Sequence, residues 1–290
     1  MSATGFDQRE GVIWQDGQMV NWPDAKVHVL NHGLHYASSV FEGMRAYNGK
    51  IFKLQEHHLR FHQSAKLLGF EIPFSIDALN EAANAVIHAQ KITDGYIRPV
   101  AWRGSERMKI YAEGISVHAA IAAWEWPAYF SPEHYTNGIK LCWSQWRRPA
   151  PDMAPTASKA GGLYMICTLS KQQAETTGYH DAMMLDYRGY LAEATGANFF
   201  MVVDGVLHTP TADCFLDGIT RQTVIDLAKK IGIKVLIRHI KPEELATAQE
   251  AFLTGTAAEI TPIGTIGEYA FTPGAVTQKL RDAYHSYVRS

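Results

Sequence analysis

Cysteine is scarce and unpaired in this chain. Cys142, Cys167 and Cys214 show neither CxxC spacing nor the density of a small secreted scaffold, so free thiols are expected and a disulfide framework is not. Long apolar runs are missing too. None approaches the ~20 residues of a membrane span, and the opening stretch Met1-Ser-Ala-Thr-Gly-Phe-Asp-Gln-Arg-Glu10 has no apolar signal core. A cytoplasmic protein is expected. Charge of one sign is also lacking: the formal net charge is −2, which gives no reason to expect nucleic acid or an anionic membrane surface as partner. The expected ligand is therefore small. Histidines occur at Leu30-Asn31-His32 and at His57-His58, but no further ligand follows at metal-site spacing, so they are read as satisfied or surface groups and no metal is expected. No internal repeat or low-complexity tract is present.

What is there is a chain of 290 residues, 47% hydrophobic and 19% charged, long enough for two domains with cores of their own. Val12-Ile-Trp14 and Gln18-Met-Val20, separated by Asp16-Gly17, predict a hairpin. Apolar residues at helical spacing predict helices over Glu56–Leu68 and Ile76–Ala89, followed by strands over Gly95–Arg103 and Val117–Trp124. Two prolines and an Asn-Gly step between Trp126 and Gly138 mark a connection. The expected organisation is an N-terminal α/β domain over 1–127, a connecting loop over 128–138, and a C-terminal domain over 139–290. That last part starts with a strand over Ile139–Trp143, continues through a helix carrying Lys159 and an apolar strand at Ala251–Leu253, and ends in a helix from about Pro273. The alternation gives an α+β fold class.

Three stretches carry chemistry. Glu193-Ala-Thr-Gly-Ala-Asn198 follows the strand-like run Ala182–Asp186, and Gly218-Ile219-Thr220-Arg221 opens an amphipathic run with Val224, Leu227, Ala228 and Ile231 at helical spacing. A helix N-terminus there can hold a phosphate through backbone N–H groups and the Thr220 hydroxyl. Ser158-Lys159-Ala-Gly-Gly-Leu-Tyr164 sets a lysine among small residues. A carboxylate for a pyridinium nitrogen, an amine for an aldehyde and a helix terminus for a phosphate are the protein groups that pyridoxal 5'-phosphate requires.

With these motifs, and with Tyr36, Val40-Phe41-Glu-Gly43, Tyr96-Ile-Arg98-Pro and Gly255-Thr256-Ala-Ala-Glu259 in order along the chain, the sequence resembles the class IV aminotransferases, and within them the branched-chain type. The resemblance implies fold type IV of the pyridoxal-phosphate enzymes, the fold of the D-amino-acid aminotransferases, with the cofactor in an interdomain cleft. It implies Lys159 as the residue that holds the cofactor covalently and then moves the substrate's proton. Glu193 corresponds to the partner of the pyridine nitrogen and Tyr164 to that of the ring hydroxyl. Arg60, the Ile219 and Thr220 amides and Thr256 correspond to the phosphate site. Tyr36, Phe41, Trp126 and Tyr129 correspond to pocket walls, Arg98 to the contact for glutamate's distal carboxylate, and Tyr96 with the Thr256 and Ala257 amides to the α-carboxylate site. Asn198 is assigned to shaping its loop. The implied reaction is ping-pong transfer between leucine, isoleucine or valine and 2-oxoglutarate in a homodimer or higher homo-oligomer.

Two departures stand against the pattern. Asp217 occupies a position where proline is frequent, and an acid beside a phosphate must point away or weaken binding. Glu106-Arg107-Met108-Lys109-Ile110 replaces a glycine-rich specificity loop, which leaves two alternatives open: a D-amino-acid or (R)-amine transaminase, and a lyase of the aminodeoxychorismate type.

Overall fold

The computed structural model describes residues 5–126 and 132–290, so Tyr129 and the start of the connecting loop lie outside the described residues. The chain divides into two compact units, Met1–Pro127 with Ser158–Gly162, and Ala128–Ala157 with Leu163–Ser290. The segment carrying Lys159 therefore clusters with the first unit, whereas the sequence had suggested the C-terminal part.

The first unit begins with the hairpin β1 (Val12–Gln15) and β2 (Gln18–Asn21). Asp16 and Gly17 turn it with φ of 47° and 92°, the left-handed pair that a two-residue turn between twisted strands demands. Next come the short helix α1 (His32–Tyr36), β3 (Ser39–Phe41), β4 (Met44–Tyr47), β5 (Lys50–Ile51), the helices α2 (Leu54–Leu67) and α3 (Ile76–Ala89), and the strands β6 (Gly95–Arg103) and β7 (Val117–Glu125). Ser75 caps α3 by accepting from the Ala78 amide, which fixes the start of that helix. The sheet order is β2-β1-β7-β6-β4-β5, with β3 pairing β6.

Alternation along the long β6–β7 pair decides which residues face what. Ile97, Ala101, Ile121 and Ala123 are fully buried and pack in a core with Phe61, Ala65, Leu79 and Val86 of the helices. Their alternates, Tyr96, Arg98, Ala122 and Trp124, occupy the opposite face, with Tyr96 across from Trp124 and Arg98 from Ala122.

The second unit contains α4 (Pro132–Asn137), β8 (Ile139–Trp143), α5 (Tyr164–Thr176), β9 (Asp181–Leu185), β10 (Leu191–Ala194), β11 (Asn198–Val203), β12 (Val206–Pro210), α6 (Ile219–Lys230), β13 (Val235–Arg238), β14 (Glu250–Gly255), β15 (Glu259–Ile266), β16 (Tyr269–Ala270) and α7 (Ala275–Val288). Its sheet runs β10-β9-β8-β15-β14-β11-β12-β13, and Phe199, Met201, Leu253 and Ile263 form part of its core. The three cysteines are buried, and none is joined to another by a disulfide. No helix among the described residues is long and apolar enough to cross a membrane.

Candidate active site

Lys159 is not helical. The helix α5 starts at Tyr164, and Lys159 lies in an extended segment whose neighbour Ala160 bridges Val40 while the Phe41 amide donates to the Lys159 carbonyl at 3.1 Å. The glycines explain the difference. A side chain on Gly161 would start 2.7 Å from Ser39 Oγ, and one on Gly162 3.0 Å from Ala37 Cβ, so the pair permits this backbone to lie against β3. The far side is held by Ser64 of α2, which accepts from the Lys159 amide at 3.0 Å and whose carbonyl accepts from Ser158 Oγ at 3.0 Å.

Ser64 lies one turn beyond Arg60 and brings that arginine to the lysine. Arg60 donates to both oxygens of Glu42, from Nε at 2.7 Å and from Nη2 at 2.8 Å. His57 Nδ1 lies 2.7 Å from the same carboxylate, and the Gly43 amide donates to it at 3.2 Å. Burial alone would raise the Glu42 carboxyl, but the Arg60 guanidinium and the His57 imidazole bring it well below the usual carboxylate range. His57 is driven down by its own burial despite Glu42, so Arg60 is the cation of this cluster and His57 a neutral donor. For the Lys159 amine the largest influence is burial, reinforced by Arg60 and Arg98 and opposed by Glu42 and Tyr96, and the result lies below the ordinary lysine value. A desolvating, cationic setting is what an attacking amine needs.

On the sheet face, Arg98 Nη2 donates to Tyr96 Oη at 3.1 Å. The Arg98 guanidinium stands 4.7 Å from the centroid of Phe41, and Lys159 Nζ stands 4.8 Å from that same centroid. Trp126 packs on Tyr96 at 5.4 Å. Gly43 is obligatory in this group, because a Cβ there would lie 2.0 Å from Tyr96 Oη. Lys159, Arg60, Phe41, Tyr96, Arg98 and Trp126 are thus gathered in one unit. Among the described residues, the Tyr36 ring meets His32 at 4.8 Å and His35 at 6.5 Å rather than this group, and the residue is 43% exposed.

The second unit gathers the remaining groups at one end of its sheet. Glu193 pairs across the strands with Asn198, and Asn198 with Thr254, two residues before the turn that holds Thr256 and Ala257. Asn198 Nδ2 donates to Glu193 Oε2 at 3.0 Å and to the Leu216 carbonyl at 2.9 Å, while its Oδ1 accepts from the Gly218 amide at 3.1 Å. Gly218 is the N-cap of α6. Among the described residues the Ile219 and Thr220 amides donate to no group, as the first turn of a helix leaves them. Asp217 is turned to use: it accepts from Arg221 Nη1 at 2.6 Å and from Gln222 Nε2 at 2.5 Å. Arg221 itself is buried and also donates to Thr209 Oγ1 and the Pro210 carbonyl, so its place in the motif is structural.

Arg148 and Ser64 were not singled out from the sequence, Glu42 appeared only as a letter of the Val40–Gly43 motif, and His57, expected to be a satisfied or surface histidine, is satisfied by Glu42. Arg148 is buried, sits with Nε 3.4 Å from Glu193 Oε1, and donates from Nη1 to Cys167 Sγ at 3.3 Å. Burial would lower the guanidinium, but Glu193 above all, with Cys167 and Tyr164, brings it above the ordinary arginine value. Nothing in Trp146-Arg147-Arg148-Pro149 separates one arginine from the other. Glu42 was legible in principle, as a lone acid inside the apolar run Val40–Met44, where a buried charge must have a partner.

The family described as amino-transferase class IV matches residues 39–266. The chain belongs to the class IV aminotransferases. It is 44% identical over 287 residues to the branched-chain-amino-acid aminotransferase of Pseudomonas aeruginosa, covering 97% of this chain and 94% of that one. It is 42% identical over 281 residues to the enzyme of the same name from Escherichia coli K12, covering 94% and 91%. Among solved structures, the branched-chain aminotransferase of Thermobaculum terrenum in its PLP-bound holo form superimposes with a TM-score of 0.88 at 32% identity, covering 97% and 95% of the two chains. In this class IV aminotransferase, the residues just described fit a phosphorylated pyridine aldehyde. The first unit offers an amine of lowered pKa; the second offers a carboxylate beside a buried arginine and, at a helix N-terminus, amides that donate to no group among the described residues.

Proposed function

We propose that this aminotransferase uses pyridoxal 5'-phosphate to move an amino group between branched-chain L-amino acids and 2-oxoglutarate by a ping-pong mechanism. The observation that carries the substrate range is the placement of Arg98. Its guanidinium lies against the apolar Phe41 ring and beside the Lys159 amine, and its buried Nε has no hydrogen-bond partner among the described residues. An aromatic wall suits an aliphatic side chain, and an unmet N–H on a permanent cation suits the distal carboxylate of glutamate. One pocket can then accept both partners of the exchange.

The cofactor, when bound, supplies an aldehyde and a pyridine ring that withdraws electrons. Glu193, ion-paired with Arg148, would hold the ring nitrogen and Lys159 would hold the aldehyde carbon, and the Lys159 amine is the group that would move a proton at the substrate Cα. Arg60, Thr256 and the Ile219 and Thr220 amides take the phosphate, and Tyr164 the ring hydroxyl. Tyr96 with the Thr256 and Ala257 amides takes the α-carboxylate, with Tyr36, Phe41, Trp126 and Tyr129 as walls. A homo-oligomer in the cytoplasm completes the proposal.

The test is to incubate the purified holoenzyme separately with L-leucine, D-alanine and (R)-phenylethylamine and follow conversion of the cofactor to its amine form. Conversion by L-leucine alone supports the proposal. Conversion only by one of the other two would replace it with the corresponding transaminase.

A further inference from the structure

The sheet face that carries Tyr96 and Arg98 is backed by further aromatic rings. Tyr96 lies opposite Trp124 in the β6–β7 register, with centroids 5.2 Å apart and planes tilted by 40°. Trp126 completes a triangle, 5.4 Å from Tyr96 and 5.9 Å from Trp124. Another edge of Trp124 is met by Phe6, edge to face, at 5.3 Å and 84°. Phe6 is fixed in turn. Trp22 Nε1 donates to its carbonyl at 2.5 Å, and the Arg9 guanidinium lies 3.9 Å over its ring.

Trp124 has a physical reason to move. Its Nε1 is buried without a hydrogen-bond partner among the described residues, and a buried N–H left unmet costs free energy that contact with water would recover. A cleft of about 550 Å³, lined in part by Arg9, Glu10, Trp22 and Glu125, adjoins this ring. An indole with an unmet N–H beside open space is held by packing alone, and Phe6 supplies packing on that side.

We propose that Phe6 and Trp124 are positioning residues for substrate binding. The N-terminal arm holds Trp124, and Trp124 holds the Tyr96 ring where it meets the substrate. This rests on the reading of Tyr96 as an α-carboxylate contact. Every amino-acid substrate shares that carboxylate, so loss of the arm weakens leucine and glutamate together, unlike loss of Arg98.

The experiment is Phe6→Ala in the holoenzyme. Phe6 is 52% exposed, so folding loses little. KM for L-leucine and for L-glutamate is expected to rise in parallel by about 2- to 10-fold, the span set by the worth of one aromatic pair, while kcat holds. By calorimetry, the dissociation constant of 4-methylvaleric acid, which has leucine's carbon skeleton and carboxylate without the amine, is expected to rise by the same factor. Phe6→Tyr should restore both values, and in a Tyr96→Ala background Phe6→Ala should add nothing. Unchanged constants, a loss confined to kcat, or an undiminished effect without Tyr96 would each overturn the proposal. If Tyr96→Ala weakens binding and Phe6→Ala does not, only the role of the arm fails. If Tyr96→Ala itself leaves both constants unchanged, the substrate assignment of Tyr96 fails and the proposal with it.

Discussion

Asn198 faces Glu193 across the β10–β11 pair and donates to its Oε2 at 3.0 Å. The same amide holds the Leu216 carbonyl and the Gly218 N–H, so one side chain couples a buried carboxylate to the loop that starts α6. The coupling is tight enough to forbid change at its other end, because a Cβ on Gly218 would lie 2.2 Å from Asn198 Oδ1.

Asn198→Ala should therefore weaken cofactor binding by roughly 10- to 100-fold, the worth of one hydrogen bond to a charged group. Asn198→Asp should be worse, since it sets a second carboxylate against Glu193. Titration of the cofactor-free protein with pyridoxal phosphate measures both, and equal affinity for wild type and Asn198→Ala would confine Asn198 to local folding.

Lys159→Ala should abolish the absorption of the lysine-bound cofactor and lower turnover by several orders of magnitude, because covalent attachment and proton transfer vanish together. Normal turnover in that variant would end the proposed mechanism.

Arg98→Ala should damage the glutamate half-reaction far more than the leucine half-reaction. A charge-assisted hydrogen bond is worth roughly 1.5–3 kcal/mol, or about one to two powers of ten. Single-turnover kinetics with each amino acid give the comparison, and equal losses would make Arg98 a structural residue.

Acidification should destabilise the first unit before it protonates ordinary carboxylates. Burial lowers His57 and takes His58 from 6.5 down to about 4. A depressed histidine binds its proton in the unfolded chain first, so its stabilisation is complete above pH 6.5 and is lost as the pH falls from there toward 4. For His58 that is up to about 3 kcal/mol. Glu42, also depressed, adds a loss in the same direction once the pH passes below the normal carboxyl range. Thermal unfolding followed from pH 7 to pH 4 should show a falling midpoint, and His58→Gln should flatten the upper part of the slope. A midpoint independent of pH across that window would contradict the buried, neutral state of these histidines.

Arg107 and Lys109 are exposed, while the Lys109 carbonyl lies 3.0 Å from His32 Nε2 and so pins the loop backbone. Replacing both cations with glycine should leave the ratio of kcat/KM for L-leucine over D-alanine within about 2-fold, as exposed substitutions usually do. A larger change would bring this loop into the selection of substrate.

Much of this was written in local sequence. The Asp16-Gly17 hairpin, the helix over Ile76–Ala89 and the strands over Gly95–Arg103 and Ile139–Trp143 follow from turn chemistry and periodicity, which act between near neighbours. The amides at Ile219 and Thr220 were legible for the same reason. Residues that gain meaning only from distant partners were not. Arg148 and Arg147 are alike as letters, and only the fold buries Arg148 beside Glu193. Asp217 read as a defect until the turn of α6 set Arg221 against it. Lys159 read as part of a helix, whereas the structure uses the glycines that follow it to lay its backbone against β3. Residue type and short-range order determined which chemistry this chain can carry; burial and contacts far apart in sequence decided which charges are held, which amine is desolvated, and which rings stand behind Tyr96.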